Sequence, residues 1–139
     1  MPNSEEIYIE KLRNSGLRPT KQRIRICEIL FNREKTFHFS INELLKIIQT
    51  KNNQKISLAT VYNTVHAFKK KGYLKEIALK GNKTFFDTNT KHHHHFYDEN
   101  MSQLVDIEDK NISINYIPKA PKGKKIKSIE VLFKIEDTN

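Results

Sequence analysis

Cysteine is all but absent from this chain: Cys27 carries the one thiol among 139 residues. A lone cysteine excludes an internal disulfide and any Cys-x-x-Cys zinc clamp, and its place in a helical apolar pattern marks it as a core thiol. No run of roughly 18 apolar residues occurs, nor a charged-then-apolar leader ending in small residues, so neither a membrane span nor a signal peptide is expected. The expected location is the cytoplasm. Catalytic signatures and internal repeats are missing too: there is no His-Glu-x-x-His helix, no nucleophile elbow and no phosphate loop. A small metalloenzyme using histidines with Asp98 or Glu99 to activate water would need an open coordination position and a general base in a pocket. It would also leave the basic helix described below without a purpose, so the expectation is no enzyme.

What is plentiful is positive charge, a net +9, and it is unevenly placed. Residues 1–91 carry 18 Lys and Arg against 8 Asp and Glu, whereas residues 92–139 carry 7 against 8. A one-sided positive field is what phosphate backbones reward through counterion release. Lys is also abundant throughout, so charge alone does not decide for nucleic acid. Two small halves would bury little apolar surface, which makes a dimer a reasonable expectation.

Local signals divide the first part into helices. Ser4 to Ser15 places Tyr8, Ile9 and Leu12 on one face and stops at Gly16. Thr20 caps a second helix with Ile24, Cys27, Leu30 and Phe31 as its apolar stripe. "SINE" at Ser40 to Glu43 reads as a capping box, followed by Leu44, Leu45, Ile47 and Ile48. "TKNNQK" reads as a turn or loop. Ser57 then caps "SLATVYNTVHAFKKKG", which ends in lysines and Gly72. At roughly 100° per residue Leu58, Val61, Val65 and Phe68 share one side, and Ala59, Asn63, His66 and Lys70 the other, with Tyr62 at its flank. "YLKEIAL" and "TFFDT" around the turn "KGNK" make a hairpin. Three helices, a fourth with a small, polar, basic face, and a two-stranded wing describe a winged helix-turn-helix whose last helix enters the major groove. From Asp98 onward "QLVDI", "NISINYI" and "KSIEVLFKI" read as strands, the last two separated by "PKAPKGKK". The fold class is α+β.

"KHHHHFYDEN", residues 91–100, holds four of the six histidines. It lies inside the chain beside a strand-like segment, unlike a purification tag. On a strand, side chains alternate, so His93 and His95 share one face and His94 takes the other.

At "GLRPTKQR", "HFS", "SLATVYNTV" and "FFDTNTKHHHHFYDE" the chain resembles the ferric uptake regulator family over nearly its whole length, and within it most resembles the iron response regulator branch. The resemblance implies an N-terminal winged-helix DNA-binding domain, residues 1–84, and a small α/β dimerisation and regulatory domain, residues 85–139. It implies a homodimer on double-stranded A/T-rich operator DNA. Tyr62 matches a tyrosine that packs on thymine methyls, and Asn63 stands where many members have a base-contacting arginine, which suits adenine edges. Arg18 matches a minor-groove residue, while Lys69 and Lys70 would set affinity through phosphates. The regulatory metal set carries over as His38, Asp87, His93, His95 and Asp106, suited to Fe, Mn or Zn. Asp98 and Met101 occupy the positions of the Cys-x-x-Cys zinc clamp of many members, so no structural four-cysteine zinc is expected. In the iron response regulator branch the signal is haem, for which His38, His93, His94 and His95 are candidate ligands and Phe96 and Tyr97 flanking surface, although the branch's Cys-Pro motif is missing. The alternative within the family is a peroxide- or Fe(II)/Mn(II)-sensing repressor.

Overall fold

Capping chemistry and apolar spacing set the first helices. The computed structural model describes residues 4–51, 55–81 and 83–139, and its chain divides into two compact units, 1–90 and 91–139. In the first unit, α1 (Ser4–Asn14) buries Tyr8 and Leu12. It ends where Gly16, at φ 78°, lets the Leu17 amide return to the Leu12 carbonyl at 2.8 Å. The left-handed conformation costs other residues more than glycine. Helix α2 (Lys21–Phe31) starts with the Thr20 hydroxyl accepting from the Arg23 amide and buries Ile26, Cys27, Ile29 and Leu30.

The capping box forms: Ser40 Oγ accepts from the Glu43 amide at 3.1 Å, and the Glu43 carboxylate from the Ser40 amide at 3.5 Å. It opens α3 (Ile41–Lys51), after β1 (His38–Phe39). Of the expected loop "TKNNQK", residues 52–54 lie outside the described residues, as does Asn82 of the turn "KGNK".

Helix α4 (Leu58–Lys71) is capped by Ser57 and closed by Gly72 at φ 98°. Its buried residues are Val61, Thr64, Val65 and Phe68. Leu58, expected on the buried side, is 56% exposed, because it lies in the first turn, ahead of the packed length of the helix. Thr64 extends the stripe at its other flank, fully buried, with its hydroxyl donating to the Thr60 carbonyl at 2.7 Å. That bond satisfies the one polar group the stripe would otherwise strand.

The wing has three strands. Antiparallel β2 (Lys75–Leu79) and β3 (Lys83–Asp87) form the expected hairpin, and β1 adds to the free edge of β3, with His38 opposite Asp87 and Phe39 opposite Phe86. Two residues are too few for a period-two pattern, which is why β1 is not visible in the sequence. The assigned boundary at 84/85 falls inside β3, whose pairing keeps Phe85, Phe86 and Asp87 in the first unit.

The second unit is a sheet of order β5-β4-β6. Strands β4 (His93–Asp98) and β5 (Gln103–Glu108) are antiparallel, and β6 (Leu132–Ile135) runs parallel to β4. "NISINYI" is not a strand: Asp109–Asn111 make one 3-10 turn and the chain is then irregular up to β6. β5 ends beside the start of β4, and the connection that carries the chain from there past β4 to the start of β6 takes the segment out of the sheet. "KSIEVLFKI" pairs only over its last part. Among the described residues no helix is long and apolar enough to cross a membrane.

Candidate DNA-reading face and metal ligands

Burying Val61, Val65 and Phe68 turns the other side of α4 outward. Ala59, Asn63, Lys69 and Lys70 are exposed, and Tyr62 is 50% exposed. The Tyr62 ring lies 4.0 Å, centroid to centroid, from that of His66 one turn on. This ring contact holds the phenol against its own helix, so less rotamer freedom is lost when it meets a partner. Lys69 is not a free cation: its ammonium lies 3.1 Å from the Glu76 carboxylate on β2. Lys70 has no such partner among the described residues. Arg18 is exposed, and its carbonyl accepts from the Arg23 guanidinium at 2.8 Å.

The expected metal ligands occur as two local groups, one in each unit. In the first, β1–β3 pairing sets His38 opposite Asp87, with His38 Nε2 3.2 Å from a carboxylate oxygen. In the second, β4–β5 register sets His95 opposite Asp106. His95 Nε2 lies 3.3 Å and His93 Nε2 3.2 Å from the same Asp106 oxygen, and the two imidazoles are 4.4 Å apart. His93 Nδ1 lies 2.6 Å from the Lys91 carbonyl. A carbonyl only accepts, so Nδ1 carries a proton, and Nε2 is the ring nitrogen turned toward Asp106. Ring orientation and tautomer are thereby fixed for a ligand on the Asp106 side.

The alternate histidines face a different acid, one the sequence reading missed. His94 is buried, its Nε2 2.8 Å from Asp109, while the Val131 amide donates to its Nδ1 at 2.9 Å. A backbone amide can only donate, so Nε2 carries the proton and gives it to Asp109. His92 Nε2 meets the Ile129 carbonyl at 2.8 Å, and its Nδ1 lies 3.2 Å from Asp109. The His94 hydrogen bond holds the Asp109 carboxyl below its usual range. Together these residues fasten the segment entering β6. Strand parity separates His94 from His93 in the sequence; only the chain's return past it shows what it holds.

Residues 14–134 match the family model described as "Ferric uptake regulator family". The chain belongs to the ferric uptake regulator family. It is 34% identical over 99 residues, 71% of its length, to the "Peroxide operon regulator" of Bacillus subtilis, and the match spans 66% of that relative. Its fold is similar to that of the Vibrio cholerae ferric uptake regulator, with TM-score 0.71 and 23% identity over 93% of this chain and 98% of that one. It also resembles the Pseudomonas aeruginosa ferric uptake regulator solved with manganese, with TM-score 0.67 and 17% identity over 96% and 99% of the two chains. These relatives are regulators by name. The iron response regulator branch is not among them.

In this member of the family the turn holding Asp98 and Met101 is closed by hydrogen bonds. Asp98 Oδ1 accepts from the Asn100 and Met101 amides, each at 3.0 Å, and Asn100 Oδ1 accepts from the Asp137 amide at 2.7 Å. Met101 itself is exposed.

Proposed function

We propose that this protein is a dimeric, DNA-binding transcription regulator whose operator affinity depends on a divalent ion held by His38, Asp87, His93, His95 and Asp106. The observation that carries the reading is the fixed tautomer of His93, which with His95 turns Nε2 toward Asp106. Three imidazoles and two carboxylates suit Fe(II), Mn(II) or Zn(II). An ion there would supply positive charge; the protein's part is to orient the imidazoles and the two carboxylates. The ligands come from both parts of the sequence, so occupancy favours one arrangement of the DNA-reading helices over others, and only that difference in affinity can alter DNA binding.

Tyr62 and Asn63 read bases, with Arg18 and Lys70 on the backbone of A/T-rich duplex. The second copy docks on the outward face of the β5-β4-β6 sheet, where Val105, Phe96 and Phe133 lie in one row and Ile135 beside them is exposed. As signal, peroxide acting on bound Fe(II) is supported by kinship with the Bacillus subtilis regulator. Haem, the signal of the iron response regulator branch, has less support, because both nitrogens of His94 are engaged.

The test is a gel shift of the purified protein on duplex selected from a random pool, with Mn(II), Fe(II), Zn(II) or haem added. Metal-dependent binding should be lost in His93→Ala and His95→Ala and kept in His94→Ala. An undiminished metal response in the His93→Ala/His95→Ala double variant would sink the ligand assignment.

A further inference from the structure

The crossover between β5 and β6 is the part of the second unit that the proposed function leaves unused. It runs from the end of β5 to the start of β6, past the end of β4 where His93 pairs with Glu108. Here Pro118, Pro121 and Gly123 rule a helix out, and what replaces it is basic: from Lys110 to Ile129 there are six lysines and no acidic residue. Five of them, Lys119, Lys122, Lys124, Lys125 and Lys127, fall within nine residues. All five are exposed, and none is in an ion pair among the described residues. Abundance of lysine does not explain this, because the unit's acids lie in β4 and the turn after it, in β5 and the turn after it, at Glu130 and in the C-terminal residues, with none between Lys119 and Lys127.

The segment is shaped as well as charged. The Lys124 amide donates to the Pro121 carbonyl at 2.9 Å, and Gly123 between them has φ 79°. That is a type II turn, with glycine at the position where φ must be positive. The two prolines fix their own φ on either side of Lys119 and ahead of Lys122. The lysines are therefore carried on a backbone that loses little further freedom when they engage a partner.

We infer that this lysine-tipped turn is a second, sequence-independent contact to duplex DNA, made to backbone phosphates by a part of the molecule remote in sequence from α4. Ammonium groups on flexible stems suit phosphates as point charges. The inference rests on the DNA-binding reading above, which also selects DNA over other polyanions.

The experiment uses the full-length protein, its selected duplex labelled with fluorescein, and anisotropy titrations across a salt series. K122Q/K124Q/K125Q keeps Gly123 and the turn but removes three charges. Each phosphate left without its lysine should flatten the log–log salt slope by about 0.9 and shrink the drop in affinity between 50 and 200 mM salt by roughly threefold. We expect the flattening of at least two phosphates in this variant, and none in K122R/K124R/K125R. Asn63→Ala, run in parallel, should change sequence preference and leave the slope. An unchanged slope in the glutamine variant, with sequence preference intact, overturns the turn's role and leaves the DNA reading standing. Failure of the parent to select any duplex overturns both. Loss of parental binding to phosphatidylserine vesicles in the glutamine variant, with DNA binding unaltered, makes the turn a membrane contact and likewise overturns the inference.

Discussion

His94 and Cys27 show how burial decides what a reactive side chain does. The His94 ring must be neutral with its proton on Nε2, since it accepts the Val131 amide and donates to Asp109. His94→Ala strands that amide, a loss of about 1–3 kcal/mol. Urea melts should show the loss, and hydrogen exchange at Val131 should accelerate while metal binding persists; unchanged exchange would remove the clamp. Cys27 is fully buried, and burial pushes its thiol from 9.0 up to about 12. A thiol-specific reagent should therefore leave the native protein unmodified and react only after unfolding. Because the folded value is raised, the thiol's contribution to stability is complete below about 9 and is lost as pH rises toward 12.

At the level of elements, α4 depends on its two ends. Ser57 Oγ accepts the Thr60 amide at 3.1 Å, and Gly72 at φ 98° lets its own amide reach the Phe68 carbonyl at 3.0 Å. Ser57→Ala should cost about 1 kcal/mol of stability, and Gly72→Ala about 1–2 kcal/mol, since a Cβ strains the left-handed conformation. No neighbour lies within 4 Å of where that Cβ would go, so backbone strain is the whole of the effect. Thermal melts of the two single variants and the double would check this. The caps lie at opposite ends of the helix, so the losses should add; strong non-additivity would mean that the helix frays as one unit.

For the whole molecule, the closing of the Asp98 turn bears on metal dependence. Its amides are held by carboxylate and carboxamide oxygens in place of thiolates. Strong chelation should abolish the proposed metal response and leave the thermal melt and sedimentation close to those of the untreated protein. A large drop in melting temperature on chelation would show that an ion, and not these hydrogen bonds, closes the turn.

Periodicity, capping chemistry and charge balance were enough to determine the four helices, the hairpin, the outward placement of Tyr62 and Asn63 and the parity of the histidine run, because each depends on neighbours a few residues away. Only the tertiary structure decided the rest. The two-residue β1 exists through its pairing with β3, and Leu58 is exposed because packing begins a turn later than its stripe. "NISINYI" has the alternation of a strand but pairs with none, since it lies in the connection that carries the chain from the end of β5 past β4 to the start of β6. Asp109 became the partner of His94 by the same return of the chain. These outcomes depend on contacts between residues far apart in sequence, whose register local chemistry does not specify.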